Sequence, residues 1–244
     1  MSEEQAAIDA AYDRRPAFEA RLAGRAKQLT KRRAQGLLWL LIAAIGFLTR
    51  TSKRDAALPA LRAGNPEIRR ILVVRLDLIG DVVLSLPAVR ALRRAYPDAT
   101  IDMLVQPSAA PVLAAERDVV AHVLTCNPYR WLNPLALLRP STWREATEAV
   151  RTLRAGYYDL AISVSGDMNS IFTRLSGAHR RIGYAGEAYP FLLTDPVPGA
   201  RYRRHQHEVR YVLALAEAAG ATIQPADEHL LLHILPNAAH RAAV

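Results

Sequence analysis

Ile71-Leu72-Val73-Val74-Arg75-Leu76-Asp77-Leu78-Ile79-Gly80-Asp81-Val82-Val83 is the stretch whose reading decides the fold. Its first four residues form a continuous β-branched and aliphatic run, the pattern of a parallel strand covered on both faces. A loop over residues 76–80 follows, and an apolar-periodic stretch over 81–95 predicts a helix that ends at Tyr96-Pro97. Strand, short loop and helix open a doubly wound α/β sheet, in which ligands bind at the carboxyl ends of the strands. The first strand-to-helix turn is therefore where chemistry is expected.

The same grammar continues downstream. Residues 100–105 predict a second strand, 107–116 a helix and 122–125 a third strand. Residues 127–140 form a long loop bearing Pro and Trp. Residues 141–155 then predict a helix with Ser141 as its N-cap. A strand over 158–164, a short helix over 169–176 closed by Gly177 and a short strand over 181–184 follow. Residues 206–219 predict a helix stopped by Gly220. The alternation implies a Rossmann-like doubly wound parallel sheet.

The chain has 244 residues, 51% hydrophobic and 23% charged, enough to bury a core and too apolar for intrinsic disorder. The lone Cys126 excludes an internal disulfide and a Cys-rich zinc site, and points to a reducing compartment. The net charge of +9 is unevenly spread: residues 1–70 hold 14 basic and 7 acidic side chains, leaving 18 and 16 in residues 71–244. All three lysines, Lys27, Lys31 and Lys53, lie in that first segment.

Residues 1–68 read as a basic helical arm. Residues 3–35 are Ala-rich and charged and predict one or two exposed helices broken at Pro16. Residues 36–48 carry no charge, and residues 49–68, with Pro59, Gly64 and Pro66, read as a linker. Thirteen residues of helix are only about 20 Å long, short of the ~30 Å hydrocarbon thickness. Basic clusters flank both sides, Lys27/Lys31/Arg32/Arg33 before and Arg50/Lys53/Arg54 after, so no charge asymmetry orients a crossing. The segment 27–54 is expected to lie on an anionic membrane surface, where each cation contributes roughly 1 kcal/mol. Packing on the domain or on a partner subunit is the alternative. A secretory signal is not indicated, and the arm lacks the aromatic interleaving of a nucleic-acid binder.

The turn after the first strand lacks both the dinucleotide fingerprint G-x-G-x-x-G and the P-loop G-x-x-x-x-G-K, so neither NAD nor a nucleoside triphosphate is indicated there. Gly80 can adopt a positive φ or let a ligand approach its backbone. Asp81 stands in the first turn of the helix, where the macrodipole favours its ionised form. It is a candidate general base, with helix capping as the alternative that spacing alone favours.

The run from Ile71 through Gly80-Asp81, Leu86-Pro87-Ala88 and Tyr96-Pro97 resembles the opening of glycosyltransferase family 9, the ADP-heptose:lipopolysaccharide heptosyltransferases. Later landmarks resemble that family in the same order: Tyr158-Asp159-Leu160-Ala161-Ile162, residues 177–184, Phe191-Leu192-Leu193-Thr194-Asp195 and His207-Glu208-Val209. The resemblance covers residues 70 to about 235. It implies an inverting transferase of the two-domain GT-B fold, with residues 69–236 as the acceptor-binding N-terminal half. A nucleotide sugar, ADP-linked in that family, would be substrate rather than cofactor, and no metal is needed at the centre.

By position Asp81 corresponds to the family's base. Arg75, at the end of the first strand, is expected to face the crevice and neutralise an acidic acceptor group; a solvated strand-end arginine is the alternative. Asp77 is the competing carboxylate, better suited to a loop role. Gly166, Asp167 and Asn169 follow a strand and should line the same crevice. Ser163 and Asn169 stand where the family often has an Asp and a basic residue. Arg180 and Arg181 read as structural, and His205 and His207, two residues apart, as capping residues rather than a metal site.

Residues 237–244 read as the start of an interdomain connection, with the donor-binding half expected on another polypeptide or absent. The expected function is glycosyl transfer to a lipopolysaccharide, lipid-linked or other cell-surface glycan at the inner face of the cytoplasmic membrane, with this chain inactive alone. The alternative is a non-catalytic, membrane-associated carbohydrate-binding or scaffold protein. An unrelated Rossmann oxidoreductase is disfavoured by the missing fingerprint.

Overall fold

The computed structural model describes residues 61–132, 136, 139–187, 189–199 and 207–228. The arm before residue 61, with its apolar segment 36–48 and its lysines, lies outside the described residues, as do His205 and residues 229–244. Six strands, β1 (Arg70–Arg75), β2 (Thr100–Val105), β3 (His122–Thr125), β4 (Leu160–Ser163), β5 (Arg180–Tyr184) and β6 (Asp195–Val197), form one sheet in the order β3-β2-β1-β4-β5-β6. Every neighbouring pair is parallel. This is the doubly wound order, whose direction of winding reverses between β1 and β4.

Strand alternation divides the core in two. Ile71 and Val73 pack with Val82, Leu86, Val89 and Leu92 of α1 (Ile79–Ala95) and with Val209, Val212 and Leu215 of α4 (Glu208–Ala218). Leu72 and Val74 face the other way, toward Leu153 of α2 (Pro140–Ala155) and Phe172 of α3 (Gly166–Leu175). β1, buried on both faces, is the strand that the apolar run predicts.

Several boundaries differ from the sequence expectation. α1 starts at Ile79, behind an extended Leu78, so Gly80 is already helical and has no positive φ. The helix expected over 107–116 is a short 3-10 segment, Ala110–Ala115, with Pro111 in its first turn. α2 starts at Pro140 behind Arg139 and makes no side-chain cap bond, so Ser141 is not its cap; proline at the first position, which needs no N–H partner, marks the start instead. α3 starts at Gly166, three residues before the expected 169. β6 is three residues around Pro196, too short for an alternation signal.

Residues 61–68, read as linker, pack on the sheet domain. Ile68 is buried, the Gly64 N–H donates to Ala95 O at 2.8 Å, and the Tyr96 hydroxyl donates to Arg62 O at 3.1 Å. Gly220, at φ +91°, follows the C-terminus of α4, and a Cβ there would lie 2.9 Å from the Arg62 carbonyl carbon. Its glycine serves both the turn and the close approach. Arg180 and Arg181 are buried: Arg180 Nε donates to Asp195 Oδ2 at 2.9 Å, and Arg181 Nε to Leu192 O at 2.8 Å. Among the described residues, no helix is long and apolar enough to cross a membrane.

Candidate active site

The carboxyl ends of β1 and β4 meet where the sheet changes its direction of winding. Val74 pairs with Ser163, and the Val164 N–H donates to Val74 O at 3.2 Å, which carries the two ends outward together. Alternation along β1 then turns Arg75 toward the face occupied by α1 and α4. The N-termini of both helices stand there, Asp81 in the first turn of α1 and Glu208 in the first turn of α4.

Arg75 has no solvent exposure and is enclosed by carboxylates. Nη2 lies 2.6 Å from Glu208 Oε1 and 3.2 Å from Asp81 Oδ1, and Nε lies 3.3 Å from Asp77 Oδ2. Nη1 donates to Ser165 Oγ at 3.0 Å. One guanidinium thus faces three carboxylates. The expectation that Arg75 meets an acidic acceptor group changes accordingly: its guanidinium is buried, with Nη1 and Nη2 bonded to the protein's own side chains.

Asp77 ties the β1 loop to the β4 loop. Its Oδ2 accepts from Ser165 Oγ at 2.7 Å and from Asn169 Nδ2 at 3.3 Å. Asn169 is buried: its Oδ1 accepts from the Leu76 N–H at 2.9 Å, and its Nδ2 also donates to Ser165 O. Gln106, just beyond β2, donates to Leu76 O at 2.9 Å. The turn that carries Asp81 is therefore held from both sides. Gly166 and Asp167 form the first residues of α3 rather than a free loop, on the same edge of the sheet.

Asp81 remains accessible. Its side chain is 22% exposed, and Leu78, Ile79 and Gly80 beside it are exposed. A Cβ on Gly80 would meet nothing within 4 Å. The arrangement can do one thing chemically: hold a partly exposed carboxylate at a helix N-terminus, anchored through one oxygen to a buried cation, with open space alongside. Of the residues expected from sequence, Arg75, Asp77, Asp81 and Asn169 come together around this point. Glu208 and Ser165 belong to it as well and were not expected; the available signal for Glu208 was an acidic residue directly after His207, whose ring caps α4 by accepting from the Val209 N–H at 3.3 Å. Among the described residues no group of three or more His, Cys, Asp or Glu is placed to hold a metal ion.

An all-parallel sheet of this order, with a carboxylate site where the winding reverses, defines a Rossmann-like α/β domain. Its likenesses are to sugar transferases. The chain is 32% identical over 137 residues, 55% of its length, to lipopolysaccharide heptosyltransferase 1 of Pseudomonas aeruginosa, and covers 36% of that protein. It superposes on Escherichia coli heptosyltransferase WaaC, solved with ADP-2-deoxy-2-fluoro heptose, with a TM-score of 0.54 and 23% identity over 64% of this chain and 50% of that one. A glycosyl transferase family 9 structure from Veillonella parvula gives a TM-score of 0.55 at 19% identity, covering 78% of this chain and 49% of that one. No protein-family model matches the sequence. The resemblance to family 9 heptosyltransferases thus holds in sequence and in fold, and the chain spans about a third to a half of the length of these relatives.

Proposed function

We propose that this chain is the acceptor-binding part of a heptosyltransferase-like, inverting glycosyltransferase, with Asp81 as general base. The observation that carries the reading is the position of Asp81: partly exposed, in the first turn of α1 beside the sheet's point of reversal, with Oδ1 anchored 3.2 Å from buried Arg75. The relatives' names supply the class of donor and acceptor: a nucleotide-linked heptose and a lipopolysaccharide.

In this mechanism the acceptor hydroxyl lies over the N-terminus of α1. Asp81 removes its proton as the oxygen attacks the anomeric carbon from the face opposite the leaving group. The new C–O bond forms as the bond to the nucleoside diphosphate breaks, and in-line attack inverts the anomeric centre. Arg75 acts from behind as a positioning residue, and Asp77, Ser165 and Asn169 hold the loop. Gly80, Gly166 and Asp167 border the acceptor. Charge on the departing diphosphate is met by N–H or cationic groups of a donor-binding half. Because the match covers half of the solved WaaC chain, that half is assigned to residues outside those described, on this polypeptide or on a separate one. The proposal assigns no metal to the centre.

Residues 27–54 are proposed to hold the protein on the anionic inner face of the cytoplasmic membrane, where lipid-linked acceptors reside. The similarity runs to transferases, so the non-catalytic carbohydrate-binding reading is not favoured. The test supplies the chain, together with its donor-binding half, with an ADP-linked heptose and a lipopolysaccharide core acceptor, and follows ADP release and the anomeric configuration of the product by NMR. Transfer with inversion is expected; no transfer, or retention, contradicts the proposal.

A further inference from the structure

Leu78 departs from two local rules at once. It is the N-cap of α1, where Ser, Thr, Asp or Asn would bond an otherwise unpaired N–H, and it makes no side-chain cap bond. It is also apolar and 74% exposed. Ile79, the first residue of the helix, is 46% exposed beside it. Every other Leu, Ile and Val between residues 70 and 95 is buried or half-buried. Neither helix capping nor core packing accounts for this pair, and departures of that kind gather at functional sites.

The backbone that carries the pair is held on both sides. The Leu78 carbonyl accepts from the Asp81 N–H at 3.0 Å and from the Val82 N–H at 3.2 Å. Two residues earlier, the Leu76 N–H donates to Asn169 Oδ1 and the Leu76 carbonyl accepts from Gln106. Residues three apart adjoin at a helix N-terminus, so Leu78 borders Asp81. Gly80, between them, is exposed and leaves open space where a side chain would stand. The carboxylate thus has an apolar, solvent-facing border on a backbone that is already ordered.

We propose that Leu78, flanked by Ile79, determines acceptor specificity: it takes the apolar C–H face of the acceptor sugar beside the hydroxyl that Asp81 deprotonates, and disfavours water in that hydroxyl's place. The inference rests on the transferase reading above and deepens it by naming what separates a saccharide acceptor from water. A sugar ring carries C–H groups next to each hydroxyl, so it covers Leu78 while its hydroxyl reaches Asp81. Removing that apolar surface from solvent is favourable. A lone water covers nothing, and leucine gives it no second hydrogen-bond partner. The reaction held down is hydrolysis. There a water oxygen bonds to the anomeric carbon as the bond to the nucleoside diphosphate breaks; one proton passes to Asp81, the other stays on the freed sugar, and the nucleoside diphosphate departs.

Leu78→Ser tests this by moving stability and selectivity in opposite directions. Serine supplies the missing cap, so the thermal midpoint should rise by about 2–4 °C. The assay combines the full chain and its donor-binding half with an ADP-linked heptose and a deacylated lipopolysaccharide core oligosaccharide. In Leu78→Ser the acceptor KM should rise about tenfold, the donor KM should hold within about twofold, and the share of donor released as free heptose should rise about threefold or more. Leu78→Met keeps the apolar contact and should bring the acceptor KM and the hydrolysed share back to within about threefold of wild type. Isothermal titration of the oligosaccharide into the full chain without donor should show the same loss of about tenfold for Leu78→Ser. A Leu78→Ser protein with wild-type acceptor KM and hydrolysed share overturns the inference and leaves the transferase reading standing. A rise in donor KM alone puts the donor-binding half on Leu78 and overturns it too, as does an oligosaccharide that the folded wild type does not bind. If wild type transfers no sugar while the titration shows the loss, the transferase reading fails and the saccharide contact at Leu78 stands.

Discussion

Arg75 and Glu208 lie 133 residues apart in sequence and 2.6 Å apart in space, joining the end of the first strand to the start of the last described α-helix. The same Nη2 reaches Asp81 at 3.2 Å, so one buried cation fixes the candidate base with respect to two helices. Replacing Arg75 removes the buried cation that three carboxylates share; replacing Glu208 leaves the other two pairs in place. Arg75→Met is therefore expected to cost about 3 kcal/mol of stability and Glu208→Gln about 1 kcal/mol. Urea denaturation measures both, and an Arg75→Met loss no larger than that of Glu208→Gln contradicts the hub role.

Gly80 offers a test in which stability and activity part company. It is helical, exposed and has open space around its Cβ position. Gly80→Ala should raise stability by about 0.5–1 kcal/mol through helix propensity. If the acceptor approaches the N-terminus of α1, the added methyl should lower kcat/KM about tenfold or more. A stabilised variant with unchanged kcat/KM places the acceptor elsewhere.

How far the sequence could carry these conclusions depended on where each signal lay. β1 and α1 were legible because a four-residue apolar run followed by helical periodicity is local information. The edge strand Asp195–Val197 was not, since three residues around a proline carry no period. Asp81 and Asp77 could be named as candidates from their places in one turn. The burial of Arg75 could not, because it depends on Glu208 arriving from a distant helix. Residues 61–68 looked like linker from Gly64 and Pro66, but Ile68 and the backbone bonds to Ala95 and Tyr96 tie them to the domain.

Cys126 gives a pH-dependent prediction. Burial, with Glu145 nearby, pushes its thiol up to about 12 from an ordinary 9.0. Burial also raises the hydroxyls of Tyr158, which donates to Asp102, and of Tyr211, which donates to Glu187. In each case the folded state favours the protonated group and the unfolded chain ionises first. The Cys126 contribution should be fully present below pH 9 and fall as pH rises toward 12, and those of Tyr158 and Tyr211 should hold to about pH 10 and fall above it, with a slope of about 1.4 kcal/mol per pH unit for each group within its window. Urea midpoints at pH 8, 10 and 11 check this, and a midpoint that does not move contradicts it. At pH 7.5 a maleimide should leave Cys126 unmodified until the chain is unfolded.

The arm makes a separate prediction. Deleting residues 36–48 should release the protein from vesicles containing phosphatidylglycerol, and raised salt should weaken binding of the intact chain because its flanking cations are screened. Unchanged sedimentation with vesicles after the deletion excludes the segment as anchor.

Turnover of Asp81→Asn, measured with an ADP-linked heptose and a core acceptor in the presence of both halves of the transferase, tests the central assignment most directly. The amide keeps the shape of the side chain and removes its capacity to take a proton, so kcat should fall by ~10²–10⁴ with the thermal midpoint preserved. Turnover equal to wild type in a folded Asp81→Asn protein contradicts the role of this carboxylate as base.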